Sequence, residues 1–519
     1  MSLSILSVTL FAPLAGALLI LVIPREDKRT IRSLGIAFAI LTLILTTIIW
    51  IGVIQRGAGE MQFVERYPWI SQFNIWFSLG ADGLSAPMLF LTALLTTLSL
   101  FYSSRAIEER VKEYHVLFLI LEWSILGVFL SLDLVMYYVF WEIGMVPTFL
   151  LIGVWGSKNR TYAALKFFLY TMAGSVAMLL AIIAVYFQVG TFEISDAVAG
   201  QPFANLPVAA SIAFWAFFIA FAIKMPTFPF HTWLPDAHTE APTAGSVILA
   251  GILLKLGAYG LIRIVLPMFP NQFAYYVMNV PIIPIMAVMS IAYGAMVCMA
   301  QWDLKRLIAY SSVAHMGYVT LGLCAAAAAF QLAKVGILPL SGDEFDAAAA
   351  AINGAAFQMF AHGIITGGLF FLVGILHERT QTHQLKALGG LANQIPYYYG
   401  ITLVTGFASL GLPGLAGFWS EFFVFRGAVR FIPLAAFIGV LGVIFTAAYV
   451  LWKMVQHVFL GDLDEEKWGK LTDMEWWEKV TMWPLVILMV VLGLYPAPLL
   501  DTFNAATTTI LQSLQTLLP

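Results

Sequence analysis

Among the ionisable residues inside the long apolar stretches of this 519-residue chain, four matter most: Glu142, Lys224, Lys255 and Glu421. A charge at the centre of a membrane-spanning helix costs about 2.5–3.5 kcal/mol on insertion scales, so such residues are functional candidates. Burial disfavours the charged form of a carboxylate or a lysine, and an opposite charge nearby restores it. A row of such groups changes protonation with small changes in local charge, and this pattern predicts a proton relay. The alternative for each group is a paired or snorkelling residue that holds helices together.

Two of these residues lie close to prolines. Lys224 precedes Pro226 and Pro229, and Glu421 follows Pro413 in a glycine-rich stretch. Proline removes a backbone donor and interrupts a helix. A broken helix at membrane depth is tolerated only where it is buried in protein or lines a cavity. The three prolines are therefore predicted to support a transport site.

Glu142 and Lys255 lie in stretches without such a break. Glu142 follows Asp133 by nine residues, and a helix starting at Asp133 would rise about 13 Å between them. This places Glu142 well inside the hydrocarbon, with Asp133 as a supporting residue at the helix start. Lys255 has no other charged residue within two helical turns.

Two histidines in apolar surroundings extend this set. His315 and His362 lie in the tenth and eleventh apolar segments. Histidine titrates near neutral pH and can pass a proton between neighbours. The alternative is a hydrogen bond that joins two membrane helices, and the sequence leaves both interpretations open.

Metal and redox sites are not expected in this chain. His231 and His238 lie near acidic residues, but their spacing is not a recognised ligand set. Cys298 and Cys324 cannot supply a four-thiolate cluster. We find no glycine motif for phosphate or dinucleotide binding. We therefore predict no metal and no bound cofactor.

The elements that must position these residues are membrane helices. Hydrophobic residues make up 61% of the chain and charged residues 11%, against about 25% charged in soluble proteins. The net charge of −3 gives no reason to expect nucleic acid as a partner. The composition predicts an all-α polytopic protein whose partner is the lipid bilayer.

About 20 apolar residues are needed to cross a bilayer. On this basis we predict fourteen transmembrane helices, near 3–23, 31–53, 84–104, 114–131, 133–154, 162–188, 208–228, 241–265, 275–299, 302–326, 350–376, 395–424, 431–459 and 480–499.

Basic residues in the connections predict the orientation, because cytoplasmic loops are enriched in Lys and Arg. One side carries Arg25, Lys28, Arg29, Arg32, Arg105, Arg110, Lys112, Lys158, Arg160, Lys305, Arg306, Arg379, Lys386, Lys467, Lys470 and Lys479. The other side carries Arg56, Arg66, Arg263, Lys334, Arg426 and Arg430. With fourteen crossings, both termini are expected on the non-cytoplasmic side of a bacterial inner (plasma) membrane.

Two long connections stand out between the predicted helices. Residues 54–83 alternate apolar and polar side chains, which favours a small extracytoplasmic β-hairpin. Residues 327–349, Ala-rich and then polar, are interpreted as a surface loop.

The predicted breaks in helices 7 and 12 are five helices apart, which indicates two inverted repeats, helices 4–8 and 9–13. We expect four parts: N-terminal helices 1–3 with the hairpin (1–113), a first repeat (114–270), a second repeat (271–460), and a cytoplasmic loop with a C-terminal helix (461–519).

Five stretches of the chain resemble the antiporter-like membrane subunits of respiratory complex I. They are FAIKMPTFPFHTWLPDAHTEAPTAGSVILAGILLKLGAYGLIR, VFWEIGMVP, QWDLKRLIAYSSVAHMGYV, FQMFAHGIITGGLFFL and GLPGLAGFWSEF. The likeness is close over about residues 80–460. Glu421 stands where one branch of that family, the M type (chain 4), has glutamate and its paralogues have lysine.

The resemblance implies a proton-translocating membrane-arm subunit of an NADH:quinone oxidoreductase. Glu142 would pair with Lys224, Lys255 would be the central relay, and Glu421 would face the terminal exit. Flavin, iron–sulfur clusters and quinone would be supplied by the rest of the complex. The expected partners are other membrane-arm subunits, especially the paralogous antiporter-like chains.

Three alternatives remain open from the sequence. One is a subunit of a multi-subunit Na⁺/H⁺ antiporter, and another is the equivalent subunit of a ferredoxin-dependent photosynthetic complex. The third is a non-pumping subunit that only holds a membrane arm together.

Overall fold

Hydrocarbon offers the backbone no hydrogen-bond partners, so apolar stretches of crossing length must satisfy their own backbone as helices. A computed structural model describes residues 4–518. Among these residues, thirteen helices are long and apolar enough to cross a membrane, and two half-helices form a further crossing. In chain order they are α1 Ile5–Val22, α2 Lys28–Arg56, α3 Ser85–Ala106, α4 Val111–Leu130, α5 Leu134–Trp155, α6 Arg160–Val189, α7 Pro207–Lys224, α8 Thr243–Met268, α9 Ile282–Ala300, α10 Leu304–Lys334, α11 Asp343–Thr380, α12 Pro396–Leu410 with Ala416–Phe431, α13 Pro433–Phe459 and α14 Trp476–Leu494.

The predicted interruptions of helices 7 and 12 are confirmed. α7 ends at Lys224, and a short helix, Trp233–Glu240, follows it after a non-helical stretch. α12 stops at Leu410 and resumes at Ala416. The breaks lie in crossings of opposite direction because five is odd, as an inverted repeat requires.

Two further crossings are irregular beside predicted site residues, which the sequence did not indicate. The helical hydrogen bonding of α5 is interrupted at Gly144, two residues after Glu142. α8 contains π-helical turns at Leu249–Leu253 and Leu261–Val265, on either side of Lys255. Turns of this type occur frequently at functional sites.

A β-hairpin marks one end of the bundle, which we call the hairpin face. Strands β1 (Gln62–Ile70) and β2 (Ile75–Ala81) pair antiparallel, as the alternation of residues 54–83 predicts. The backbone N–H of Leu6 donates to Glu65 at 2.9 Å, so the first crossing begins at this face. Short helices elsewhere in the connections are Ile194–Ala199, Pro270–Met278 and Glu465–Trp468.

A further helix, α15 (Ala497–Gln515), lies across the hairpin face. The amide of Asn353 on α11 donates to Asn504 at 2.6 Å, and Gln515 donates to the Leu340 carbonyl at 3.0 Å. The prediction for residues 461–519 contained only one helix. α15 was missed because it is amphipathic and not apolar enough to resemble a crossing.

α8, α10 and α11 form the interior of the bundle and are almost wholly buried, whereas α2, α6 and α13 expose most of their apolar residues. The predicted surface loop at 327–349 is wrong. α10 continues to Lys334 and α11 begins at Asp343, and their alanines are buried. Alanine is the strongest helix former, and small residues allow membrane helices to approach closely.

Candidate functional site

Lys255 lies at the centre of the bundle and is fully buried on α8. Its Nζ donates to the Ala250 carbonyl at 2.5 Å, within the π-helical turn. The same Nζ lies 2.7 Å from Nδ1 of His362 on α11. The irregular backbone of α8 therefore holds the ammonium group against a histidine of a neighbouring helix.

From His362 the contacts continue towards α12. The His362 and His315 rings are 5.6 Å apart between centroids. His315 Nε2 lies 3.1 Å from the Ser409 hydroxyl, and His315 Nδ1 lies 3.8 Å from Glu421 Oε1. Four of the predicted residues, Lys255, His362, His315 and Glu421, are thus brought into one line.

A small cavity lies beside this line. His315, His362, Gln358, Ser409 and Glu421 line it, and its volume is about 10 Å³, the size of a site for one water molecule at about 10–15 Å³. A water there would have several polar partners and could bridge the gap between His315 and Glu421.

The break in α12 is what places Glu421 against this cavity. Gly411 ends the first half-helix with a φ of +80°, and Pro413 lies in the connection. A side chain at Gly411 would bring its Cβ to 2.7 Å from Glu421 Oε2. Glycine here leaves space for the carboxylate.

The second group of predicted residues lies at the break of α7. Lys224 is the last residue of α7 and is 1% exposed. Its Nζ lies 5.1 Å from the ring centroid of Trp141 and 5.7 Å from that of Phe167. In the part of the chain that the structure describes, this Nζ has no hydrogen-bond partner.

Glu142 adjoins Trp141, whose ring faces Lys224 Nζ, and is near enough to interact electrostatically with this lysine. The two side chains form no ion pair within 4 Å in residues 4–518, and Glu142 Oε1 is buried without a hydrogen bond. The break between the helices contains Pro226 and Pro229, and the indole of Trp233 donates to the Ile223 carbonyl at 2.9 Å.

α8 connects the two groups through its backbone. A Cβ on Gly257 of α8 would lie 2.4 Å from the Phe221 carbonyl of α7. The end of α7 therefore touches α8 half a turn from Lys255. The described residues contain no side-chain hydrogen bond between Lys224 and Lys255.

Asp133 lies apart from both groups, at the hairpin face. It precedes α5, and its carboxylate accepts the backbone N–H of Val135 at 2.8 Å and of Met136 at 3.2 Å. Burial raises the pKa of Asp133 above its usual value. In the structure, Asp133 caps the N-terminus of the helix that carries Glu142.

His238 is a site residue that the sequence reasoning did not select. Its ring is fully buried and stacks on Phe370 at 4.6 Å, and the charged groups that act on it are Lys305 and Lys255. In the sequence, His238 stands out only together with His231, as a possible metal ligand. Within residues 4–518 the structure contains no group of three His, Cys, Asp or Glu side chains that could hold a metal ion.

Lys305, Ser409 and Gln358 were also missed. Lys305 was counted among loop charges, but it is 5% exposed and donates to the Ala241 carbonyl at 2.8 Å. Ser409 and Gln358 are ordinary polar residues of apolar helices, and no sequence pattern distinguishes them.

The model of the family described as "NADH:quinone oxidoreductase/Mrp antiporter, TM" matches residues 131–339 and 345–446. These ranges include all six predicted relay residues, together with both interrupted helices. The chain therefore falls in the class of antiporter-like membrane subunits.

Proteins that are similar to this chain over its full length indicate which branch of this class it belongs to. NADH-quinone oxidoreductase subunit M of Rickettsia prowazekii (strain Madrid E) is 40% identical over 518 residues, covering 98% of this chain and 99% of the relative. Subunit M of Rhodobacter capsulatus is 40% identical over 527 residues, covering 98% and 97%. A chain of respiratory complex I from Thermus thermophilus matches with a TM-score of 0.85 at 28% identity, covering 98% of this chain and 99% of that chain. The chain belongs to the subunit M (chain 4) family of NADH:quinone oxidoreductase, the membrane-arm subunits of the proton-translocating complex I.

Proposed function

We propose that this chain translocates protons through a relay of interior side chains formed by Glu142, Lys224, Lys255, His362, His315 and Glu421. Glu142 is half-buried and the other five side chains are buried. Electron transfer takes place in other subunits of the complex and supplies the energy. Each change in charge at one position alters the proton affinity of the next, because charges interact strongly in a poorly solvated interior.

The observation that carries this proposal is the line of contacts from Lys255 to Glu421. His362 lies 2.7 Å from the Lys255 ammonium, and His315 lies between His362 and Glu421. The line runs from α8 to α12 by way of α11 and α10, and α8, α10 and α11 are almost wholly buried. A set of structural ion pairs would instead place each charge directly against its partner.

The face opposite the hairpin offers a route by which protons reach Lys255. A cavity of about 330 Å³ there is lined by residues that include Glu240, Lys305 and Glu378. His238 is near enough to both Lys305 and Lys255 for their charges to act on it. We assign this face to the cytoplasm of a bacterial inner membrane, because the basic loop residues collect on it.

The hairpin face and both termini then lie on the non-cytoplasmic side. Exposed apolar residues on α2, α6 and α13 would contact lipid or the paralogous antiporter-like chains of the membrane arm. No cofactor is needed in this chain for the relay itself.

Replacement of Lys255 by alanine in the assembled complex tests this proposal. We expect normal assembly, measured by native gel electrophoresis, with loss of both quinone-coupled turnover and proton uptake by membrane vesicles. The matched control is Lys334→Ala, because Lys334 is an exposed lysine that contacts Asn271 at the hairpin face. Normal pumping in an assembled Lys255→Ala complex would contradict the relay, and loss of assembly in this variant alone would favour a structural role.

A further inference from the structure

Three side chains of α8 form a column from the centre of the bundle to the hairpin face. Lys255, Tyr259 and Arg263 follow each other at intervals of four residues, which places them on nearly the same side of a helix. The Arg263 guanidinium carbon lies 5.5 Å from the centroid of the Tyr259 ring. Arg263 is about 12 Å along the axis from Lys255, so the column covers the outer half of the crossing.

An ion pair closes the outer end of this column. Arg263 donates to the carboxylate of Asp82, and the two side chains are 12% and 2% exposed. The other oxygen of Asp82 accepts the backbone N–H groups of Leu84 and Ser85, each at 3.0 Å, at the start of α3. The pair therefore joins α8 to the entrance of the neighbouring helix.

A cavity of about 480 Å³ lies directly outside the ion pair, on the hairpin face. Arg263 forms part of its lining, together with Glu193, Gln201, Thr509 and Ser513. These residues come from connections and from α15, so the cavity lies between the surface elements of that face. Arg263 is thus both a polar lining residue of this mostly apolar cavity and the outer end of the column that leads to Lys255.

Tyr259 lies between Arg263 and Lys255 along α8, and its ring contacts Arg263. It is 2% exposed, and its hydroxyl donates to the Phe129 carbonyl at 3.3 Å, a long bond at the limit for O–H donors. The π-helical turn Leu261–Val265 includes Arg263, and such turns shift side chains relative to a regular helix.

We propose that the Arg263–Asp82 ion pair is a gate between the hairpin-face cavity and Lys255. When the pair separates, water from the cavity reaches Tyr259 and then the lysine, and a proton passes between the Lys255 ammonium and that water. The inference rests on the proposed relay role of Lys255. It adds a second connection to the hairpin face, separate from the one at Glu421.

Cysteine accessibility tests the gate without requiring turnover. Tyr259→Cys is introduced into the assembled complex, and membrane vesicles are treated with a membrane-impermeant cationic thiol reagent from the hairpin face. Labelling of the α8 peptide is measured by mass spectrometry. The two native cysteines are both buried and give a background on other peptides.

Asp82→Asn is the variant that opens the gate. Asparagine keeps the oxygen that accepts the backbone N–H groups of α3, but it removes the charge that holds Arg263. We expect Tyr259→Cys to be labelled at least about tenfold faster in the Asp82→Asn background, because loss of one partner leaves the other buried charge uncompensated. Asp196→Asn, an exposed carboxylate on the same face, is the control and should leave labelling unchanged.

Arg263→Gln provides a second opening of the same gate if Asp82→Asn fails to assemble. Equal labelling rates in the parent and in an assembled gate variant would overturn the gate. Failure of the relay is read separately from the Lys255→Ala pumping measurement, since labelling does not depend on electron transfer.

Discussion

The charged residues at the breaks of the two interrupted helices have different surroundings. At the break of α7, Lys224 faces the rings of Trp141 and Phe167, and in the described chain no side chain hydrogen-bonds its ammonium group. At the break of α12, Glu421 faces His315 and a cavity the size of one water molecule. One break is lined by aromatic rings and the other by hydrogen-bonding groups.

This difference separates two ways of coupling charges. Across the α7 break, Glu142 and Lys224 influence each other through the electric field, which is strong where water is excluded. In the proposed relay, a proton would cross the α12 break along His315, Ser409 and a water molecule bound in the small cavity. We infer that the α7 break sets the charge state of Lys224 and that protons are conducted across the α12 break.

Among substitutions at the two breaks, the largest effect is expected for Glu142→Gln. The substitution preserves shape and removes the carboxylate that interacts electrostatically with Lys224, so coupled quinone reductase activity should fall about 10²-fold or more, at the lower end of the range for single proton-transfer groups. Turnover and vesicle acidification measure this loss.

Asp346→Asn, an exposed carboxylate near the start of α11, is the control for Glu142→Gln and should retain full activity. Full coupled activity in an assembled Glu142→Gln complex would contradict the assignment of charge control to the α7 break.

A smaller effect is expected for Glu421→Gln. His315, Ser409 and Gln358 continue to line the cavity, so water can still bridge part of the path. Activity should fall several-fold but less than in Glu142→Gln. A greater loss at Glu421 than at Glu142 would reverse the comparison between the two breaks.

His315→Gln should cost less than either carboxylate substitution. Glutamine can keep the hydrogen bond to Ser409, which lies 3.1 Å from His315 Nε2, but it cannot accept and release a proton near neutral pH. We expect a reduced rate of proton uptake with normal assembly. If His315→Gln pumps at the parental rate, the histidine is a helix-joining hydrogen bonder, the alternative open from the sequence.

The smallest change is expected for Gly411→Ala, which alters stability more than chemistry. Gly411 has φ +80°, and an added Cβ would meet Glu421. The free energy of unfolding should therefore fall by about 1 kcal/mol, the usual cost of a side chain in this conformation, and the melting temperature of the complex should fall with it. Gly400→Ala is the matched control on α12, because a Cβ there meets nothing within 4 Å. Equal melting temperatures for the two variants would show that the break tolerates a side chain.

Much of this architecture could be predicted from hydropathy and proline placement. The fourteen crossings follow from the length of the apolar segments, and the breaks follow from Pro226, Pro229 and Pro413. The 327–349 connection was assigned wrongly, because alanine-rich runs are neither strongly apolar nor turn-forming. Their helical state depends on burial between α10 and α11.

The sequence predicted which charged residues belong to the candidate site, but it did not predict which of them are in contact. A buried charge in an apolar stretch is visible in the sequence, and Lys255 and Glu421 were found in this way. The pairing of Lys255 with His362 depends on the π-helical turn of α8. That turn is set by tertiary packing, and no local pattern of residues predicts it.

The buried polar residues of α11 affect how the chain is assembled in the membrane during synthesis. It is 38 residues long, about 57 Å as a helix, and it carries Asn353, Gln358 and His362 within an almost wholly buried surface. Its neighbours include α12, α14 and α15, all of which leave the ribosome after it. His362 and Gln358 find partners on α8 and α10, which are made earlier, but Asn353 hydrogen-bonds to Asn504 and Thr507 of α15. During biogenesis Asn353 must therefore stay without these partners until about 140 further residues beyond α11 have been synthesised.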